Sequence, residues 1–425
     1  MKKLFRALLV AIFVAALFSC NKSGDTIRVA SSPALTEEEG KYVRTLDTSE
    51  KGKWVTIEYT AKGADGSIQN LSELIYLPVG QPAHLAIGCH ITITSDDERP
   101  SNFKNLSVMT DVGVLTRMLS GLNAMAVFPD YEGFGSTRAN PHPYLNRDVT
   151  ARQCLAGAKA ALDWLTREKK MTMASGWKSI AIGYSQGGVV AAGILRYYKE
   201  NSITGLNLTA AICGDGPYDP LITLRHYILE DKIYMPVAAI LVLKGLVDTH
   251  PDLKALGCTY ADFAAPEIID TGIFEILDGK EFNTGQIQRH LLDCSSRNNG
   301  FTMKNDGMDY CEASQCFRES VVAYFRDGTL TGDVPEAKLR TMERALKENS
   351  LTYGDWIPDE DSNFFLYHST RDEVVPFANY EAVLSAWGED CIDGRPYEDP
   401  DCWTHLDVGT RFIATSASFV QKYIL

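Results

Sequence analysis

The sequence of 425 residues lacks several features that define common classes of protein. It contains no internal repeat and no low-complexity tract, so it predicts neither a repeat array nor a compositionally biased tail. Positive charge is scarce, since 41 lysines and arginines face 55 aspartates and glutamates and the formal net charge is −14. An acidic surface repels phosphates, which argues against a nucleic-acid partner. No spacing of cysteine and histidine is typical of a zinc site, and nothing in the sequence implies a metal or a cofactor.

The N-terminus lacks an apolar run that is long enough to cross a bilayer, which takes about 20 residues. The run Ala7–Phe18 is shorter, and it follows three basic residues within the first six. This pattern is typical of a secretion signal, so we expect residues 1–19 to be removed and the protein to be exported. The ending Leu-Phe-Ser-Cys resembles the lipobox of bacterial lipoproteins, which implies that an acylated Cys20 anchors the protein to a membrane of the cell envelope. The alternative is an ordinary signal peptide followed by an incidental cysteine.

Cysteine itself is not scarce, and export permits disulfides among the ten cysteines of the chain. Two pairs lie close together in polar, turn-rich segments, where a covalent link would stabilise the chain. These pairs are Cys311 with Cys316 and Cys391 with Cys402. Three other cysteines lie in apolar runs and are expected to be small core residues, namely Cys89, Cys154 and Cys213.

The pattern of apolar residues predicts an α/β protein. Trp54–Pro78 alternates, turns at Gly-Ala-Asp-Gly and alternates again, which indicates an antiparallel hairpin. Further along, continuous apolar runs are typical of strands that are buried on both faces of a parallel sheet. These runs are Leu85–Thr94, Ala124–Asp130, Ser179–Ser185, Leu208–Gly216 and Phe364–Ser369. Helical patterns such as Ala151–Leu165 lie between them, so we expect a mostly parallel sheet flanked by helices.

Residues 220–358 break this alternation, because they contain helical patterns such as Glu336–Glu348 and no clear parallel strand. We interpret them as an inserted, largely helical cap. The catalytic core then comprises residues 51–219 and 359–425, and residues 20–50 form an N-terminal linker segment. The alternative is that part of the insertion completes the main sheet.

One serine stands at the junction of a predicted strand and a predicted helix. The residues Gly-Tyr-Ser-Gln-Gly at 183–187 fit the pattern G-x-S-x-G. A sharp turn from strand to helix puts this serine in strained backbone geometry, and glycines on either side avoid steric clashes. The helix that follows directs free N–H groups at the same point. The sequence therefore predicts that Ser185 is a nucleophile.

A serine hydroxyl needs a base, and the base needs an acid to orient it. In this arrangement the order along the chain is serine, acid, histidine. Asp372 follows a predicted strand and His405 is the only histidine beyond it, so we assign Asp372 as the acid and His405 as the base. Glu373 and Asp215 remain rival acids. His368 precedes the acid and is expected to be structural or to line the pocket.

Acyl transfer also needs hydrogen-bond donors for the oxyanion, and the loss of one donor costs about 3–4 kcal/mol of barrier. One donor would be the backbone N–H of Gln186, the residue after the nucleophile. The other donor would come from the loop Gly-Cys-His-Ile-Thr that continues the run from Leu85.

These segments match the α/β-hydrolase fold, and Ala124–Leu165 resembles the secretory lipase family and its bacterial esterase relatives. The shared features are Pro-Asp-Tyr followed by His-Pro-Tyr, the motif G-x-S-x-G-G, a helical cap and the stretch His368–Pro376 ahead of a late histidine. The resemblance implies a Ser-Asp-His triad that hydrolyses carboxylic esters through an acyl-enzyme, with a small-molecule, lipid or sugar ester as substrate. It also implies that four side chains lie near the pocket mouth, namely Tyr131, His142, Tyr144 and Tyr184.

The chain departs from this family at two places. Relatives often carry His-Gly-Thr in the oxyanion loop, whereas this chain has His-Ile-Thr, so the second donor is either Ile91 or Thr92. The acidic segment before His405 replaces the expected last strand, which we predict to be short or absent. A disulfide between Cys391 and Cys402 would then hold the loop of His405.

Two other functions remain as alternatives. A serine peptidase of the prolyl-oligopeptidase type shares the triad, but such enzymes carry a β-rich N-terminal domain, and the roughly 50–60 residues ahead of the sheet are too few for one. A binding protein on a hydrolase fold would not need an intact triad. The sequence does not predict the oligomeric state.

Overall fold

The computed structural model describes residues 34–105, 111–299, 309–398 and 404–425. The signal peptide, Cys20 and Cys402 lie outside these ranges, so lipidation and the Cys391–Cys402 disulfide stay predictions. Within the described ranges, no helix combines the length and the apolar character that crossing a membrane requires.

Strands of the described residues form one nine-stranded sheet. In chain order they are β1 (Tyr42–Thr48), β2 (Trp54–Lys62), β3 (Ile68–Tyr76), β4 (His84–Cys89), β5 (Ala124–Pro129), β6 (Ser179–Tyr184), β7 (Leu208–Gly214), β8 (Asn363–Ser369) and β9 (Ile392–Tyr397). Their order across the sheet is β1-β2-β3-β5-β4-β6-β7-β8-β9. Pairing is antiparallel from β1 through β3 to β5 and parallel from β5 to β9.

Apolar composition explains which strands lie at the centre. Every residue of β5 and β6 is buried, as continuous apolar runs predict for strands that are covered on both faces. The β2–β3 hairpin pairs without a break from Trp54 with Tyr76 to Lys62 with Ile68. The structure therefore confirms the mostly parallel sheet and the α/β class.

Helices cover both faces of the sheet. In chain order they are α1 (Asp111–Ser120), α2 (Arg147–Lys169), α3 (Gln186–Glu200), α4 (Pro220–Glu230), α5 (Pro236–Thr249), α6 (Pro251–Ala255), α7 (Pro266–Ile269), α8 (Ile273–Gly279), α9 (Thr284–Asn299), α10 (Ala313–Cys316), α11 (Glu319–Asp327), α12 (Glu336–Glu348), α13 (Ala378–Trp387) and α14 (His405–Ile424). Trp164 of α2 and Leu195 of α3 pack into the core on one face. Leu119 of α1 and Phe412 of α14 pack into the core on the other.

The insertion between β7 and β8 contains α4 to α12. Two buried arginines of the core helices hold the chain where it returns from the insertion. Arg147 of α2 donates to the carbonyl of Ser350, and Arg196 of α3 donates to the carbonyls of Leu351 and Tyr353. These bonds satisfy carbonyl groups of a loop that would otherwise be costly to bury.

Three segments differ from the predicted pattern. β4 ends at Cys89 rather than Thr94, because the chain turns away to meet Glu98, whose carboxylate accepts the N–H groups of Thr94 and Ser95. The last strand, predicted to be short or absent, is present with six residues, as many as β4, β5 and β6 have, because it pairs with β8 over its whole length and its polar residues suit an edge strand. β1 lies inside the segment 20–50 that we interpreted as a linker, so the sheet begins before residue 51.

Candidate active site

Ser185 forms the turn between β6 and α3, with a backbone φ of 58° and ψ of −123°. A positive φ is uncommon for a residue other than glycine, and in this position it is the strained geometry that the sequence predicts for a nucleophile elbow. The Ser185 N–H donates to the carbonyl of Gly214 on β7 at 2.8 Å, which holds the turn against the neighbouring strand. Ser185 also forms part of the wall of a cavity.

Gly183 and Gly187 let the elbow approach the end of β4. A β carbon at Gly187 would lie 2.1 Å from the carbonyl oxygen of Cys89, and one at Gly183 would lie 2.3 Å from the carbonyl oxygen of Gly187. Any larger residue would displace backbone, so the close approach requires glycine at both positions.

Asp372 lies in the loop that follows β8, and its side chain is buried. Its Oδ1 accepts the N–H groups of Val374 at 2.8 Å and Val375 at 2.7 Å, and its Oδ2 lies 2.5 Å from Nδ1 of His405. Burial would raise the pKa of the Asp372 carboxyl, but the charge and the hydrogen bond of His405 outweigh burial and lower it. The structure thus brings together the acid and the base that the sequence predicts.

His405 is the first residue of α14, and its ring is buried beside Asp372. Burial would lower the pKa of the imidazole, but the negative charge of Asp372 and its hydrogen bond raise it. The other ring nitrogen, Nε2, has no hydrogen-bond partner among the described residues, Ser185 included. When Nδ1 of a neutral imidazole donates to a carboxylate, Nε2 carries no proton and can accept one.

Tyr184 and Glu373 hold the backbone of His405. The Tyr184 hydroxyl donates to the His405 carbonyl at 2.5 Å, and the two ring centroids lie 5.0 Å apart. The Glu373 carboxylate accepts the His405 N–H at 2.9 and 3.0 Å, where a negative charge also suits the start of a helix. Glu373, a rival acid in the sequence, therefore contacts the histidine backbone rather than its ring. Tyr184 packs against His405 and not on the cavity wall.

Asp215 and His368 lie close to Asp372, with one side-chain atom of each of the three residues within 4.8 Å of the others. Asp215 follows β7, and its Oδ1 accepts the N–H of Ser369 at 2.8 Å. His368 has its Nε2 3.0 Å from the carbonyl oxygen of Val375, and burial lowers the pKa of its imidazole to about 4. Neither side chain contacts the ring of His405 by a hydrogen bond, so Asp372 is the acid that does so among the three candidates.

The loop after β4 is predicted to supply one oxyanion donor, the backbone N–H of either Ile91 or Thr92. The Ile91 N–H already donates to Oδ2 of Asp111 at 2.9 Å. Thr92 lines the same cavity as Ser185, and its hydroxyl lies 2.7 Å from the hydroxyl of Tyr144. Gln186 begins α3 next to the nucleophile. This geometry favours Thr92 over Ile91 as the partner of the Gln186 N–H.

Of the four predicted pocket residues, only Tyr144 lies on the cavity wall. Tyr144 reaches the cavity, whereas Tyr131 is buried and stacks on His90 with ring centroids 4.0 Å apart. His142 is also buried, with Nδ1 2.7 Å from the Glu132 carbonyl oxygen and Nε2 3.3 Å from the side-chain nitrogen of Gln186. Burial lowers the pKa of His142 to about 3, so the ring is neutral.

A largely apolar cavity extends from Ser185 into the insertion. Residues missed by the sequence analysis supply most of its wall, because they come from α4, α5, α11 and α12 in the insertion. From these helices the wall takes Pro220, Thr223, Leu224, Tyr227, Ala238, Ala239, Val242, Leu243, Val321, Phe325, Met342 and Leu346. Their apolar periodicity was the available signal, but it did not show which side faces Ser185.

The strand order and the strained serine turn define an α/β-hydrolase fold. Among solved structures, the chain is similar to a rice cell wall degrading esterase, LipA from Xanthomonas oryzae, with a TM-score of 0.68, 16% identity and coverage of 91% of this chain and 99% of that one. It is also similar to lipase A from Candida antarctica, with a TM-score of 0.58, 15% identity and coverage of 87% and 78%. No family model and no curated protein matches the chain. At these identities the likeness concerns the fold.

Proposed function

We propose that this protein is a serine hydrolase of the secretory lipase kind that cleaves carboxylic esters through Ser185, His405 and Asp372. The observation that carries the proposal is the buried contact of 2.5 Å between His405 Nδ1 and Asp372 Oδ2, in a histidine whose carbonyl accepts from Tyr184, the residue before the strained Ser185. The similar structures include an esterase and a lipase, which supports ester chemistry.

The proposed mechanism starts when His405 Nε2 takes the hydroxyl proton of Ser185 and Oγ attacks the ester carbonyl. The backbone N–H groups of Gln186 and Thr92 then stabilise the oxyanion, and each such donor is worth about 10²–10³ in kcat. His405 gives the proton to the leaving alkoxide, which leaves an acyl-enzyme on Ser185. A water molecule repeats the sequence, and Asp372 stabilises the imidazolium in both halves.

The lining of the cavity supports the inference that the part of the substrate beyond Ser185 is an apolar acyl chain. Aliphatic and aromatic side chains form most of its wall, and the hydroxyl of Tyr227 is turned away to the carbonyl of Val374. Apolar surface favours hydrocarbon, at about 0.8 kcal/mol for each CH₂ group buried. A sugar or peptide in the same space would leave its polar groups without partners.

A graded set of p-nitrophenyl esters tests the proposal, together with a fluorophosphonate probe. We expect the purified chain to hydrolyse these esters and the probe to label Ser185, which peptide mass mapping locates. A binding protein would show neither reaction. Faster cleavage of peptide nitroanilides than of esters would instead favour the peptidase alternative.

Val242 of α5 provides a test of the acyl cavity, because it lines the empty space without being fully packed. We expect Val242→Trp to fill the cavity and to lower kcat/KM for a dodecanoate ester about 100-fold, while acetate changes by less than about threefold. The control is Leu229→Trp, because Leu229 is 45% exposed on α4 and lies outside the cavity wall. Equal losses on both esters from Val242→Trp would contradict the acyl cavity.

We also propose that the chain is exported and anchored through an acylated Cys20, on the strength of the leader sequence. In bacterial cells, the wild-type chain is expected to partition into the detergent phase of a phase-separation assay. Cys20→Ser is expected to move the protein to the aqueous phase without changing ester hydrolysis. A wild-type chain that stays in the aqueous phase would contradict the lipid anchor.

A further inference from the structure

Asp215 lies beside the triad but takes no part in the mechanism above. It is fully buried after β7 and has a backbone φ of 38°. Its N–H donates to the carbonyl of Tyr367 at 2.9 Å, and its Oδ1 accepts the N–H of Ser369 at 2.8 Å. Asp215 therefore holds the end of β8, from which the loop that carries Asp372 departs.

The second oxygen of Asp215, Oδ2, is buried and has no donor among the described residues. The Asp215 side chain faces the carboxylate of Asp372 and the hydroxyl of Tyr184. Single side-chain atoms of Asp215, His368 and Asp372 lie within 4.8 Å of one another. Asp372 carries the negative charge of the triad, and Tyr184 gives its one hydrogen to the carbonyl of His405. Both neighbours can only accept, so a hydrogen bond here needs a hydrogen on Asp215.

The surrounding groups do not compensate a second negative charge. The titratable groups that act on or adjoin Asp215 are Tyr184 of β6, Tyr218 after β7, His368 of β8, Asp372 and Glu373 of the next loop, and His405 of α14. Nε2 of His368 lies 3.9 Å from Oδ1 of Asp215, but the imidazole is neutral at pH 7, because burial lowers its pKa to about 4. In the described part of the chain, Asp215 forms no salt bridge with lysine or arginine.

Two carboxyl groups that share a dry site cannot both be ionised without a cation for each. Of the two carboxyl groups, Asp372 is better stabilised as the anion, because it accepts two backbone N–H groups and the ring N–H of His405. Asp215 accepts one backbone N–H. Burial and then the charge of Asp372 raise the pKa of the Asp215 carboxyl well above its ordinary value, in agreement with this division.

We propose that Asp215 is a neutral carboxylic acid during catalysis and that its hydrogen bond to Asp372 positions the triad carboxylate toward His405. This assignment rests on the proposed function, because it adds a positioning residue to the same triad. A neutral donor steadies Asp372 and disperses part of its charge, which moderates the rise in the pKa of His405.

Two substitutions separate a neutral donor from a buried charge. Asparagine keeps an N–H donor and tolerates the positive φ, so we expect Asp215→Asn to lower kcat only about threefold and to leave the acidic limb of the kcat/KM profile in place. Asp215→Ala removes the donor, so we expect a loss in kcat of about 30-fold, an unchanged KM and an acidic limb that moves to higher pH. Thermal unfolding checks that both variants are folded.

A shift of the acidic limb to lower pH in Asp215→Asn would overturn the proposal. If Asp215 were ionised, asparagine would remove a negative charge near His405, and the acidic limb would move to lower pH by about half a unit or more. Infrared difference spectra between the wild type and Asp215→Asn give a readout that needs no substrate. We expect the carbonyl stretch of a protonated carboxylic acid in the wild type at pH 7, and its absence overturns the proposal. An enzyme that is inactive on esters but shows this band would refute the proposed function and not the proton on Asp215.

Discussion

Replacing Ser185 with alanine is expected to lower kcat for p-nitrophenyl butyrate by about 10⁶-fold, the scale seen when a serine nucleophile is removed from a triad. The reason is that, in the proposed mechanism, this hydroxyl forms the acyl-enzyme, and alanine has no group that could do so. KM should change little, because the cavity wall beyond Ser185 stays intact. Steady-state kinetics measures the loss, and the absence of fluorophosphonate labelling confirms its cause.

Ser418→Ala is the matched control for this variant, since Ser418 is an exposed serine on α14 whose hydroxyl only donates to the Thr415 carbonyl. We expect wild-type rates from it. Ser185→Ala should also remain folded, with an unchanged circular dichroism spectrum, because alanine removes one oxygen atom from a residue that makes its structural hydrogen bond through the backbone. Ester hydrolysis by Ser185→Ala at more than a tenth of the wild-type rate would rule out this nucleophile.

Asp372→Asn is expected to lower kcat by about 10⁴-fold, because an amide at this position favours the wrong tautomer of the histidine. The pH profile should change as well. Asp372 raises the pKa of His405, and His405 must be neutral to act as a base, so removal of the charge should move the acidic limb of kcat/KM to lower pH. Stopped-time assays across pH 4–9 with excess enzyme measure both effects.

The neighbouring Glu373→Gln makes the same chemical change one residue later. Glu373 accepts the backbone N–H of His405 and not its ring, so we expect a loss in kcat of about 3–10-fold from a less firmly held helix start. A larger loss from Glu373→Gln than from Asp372→Asn would show that the acid of the triad has been misassigned.

The strained turn at Ser185 could be predicted because its signal is local. A buried strand, a serine between glycines and a helix follow one another within a short stretch, and the strain at Ser185 and the close approach at Gly187 are consequences of that turn. The parallel sheet could also be predicted, since continuous apolar runs suit strands that are covered on both faces. β9 was harder to predict, because an edge strand is stabilised by pairing with β8 more than by its own apolar residues.

The acid could not be chosen among Asp215, Asp372 and Glu373 with the same security. All three follow the ends of adjacent strands, and the choice depends on how the loop after β8 turns. Two N–H groups of that loop, from Val374 and Val375, hold Asp372 with its second oxygen toward His405, while the next residue turns to the helix start.

By itself, the sequence determined that the chain folds around a parallel sheet with a strained serine at one strand end, and it predicted a histidine near the C-terminus as the base, because these features depend on local pattern and chain order. Only the tertiary structure decided which carboxyl group meets the imidazole and that the Ile91 N–H already donates to Asp111. It also decided that helices of the insertion form an apolar cavity at Ser185. The physical reason is that these contacts join segments far apart in the chain, and their geometry depends on packing that no single segment encodes.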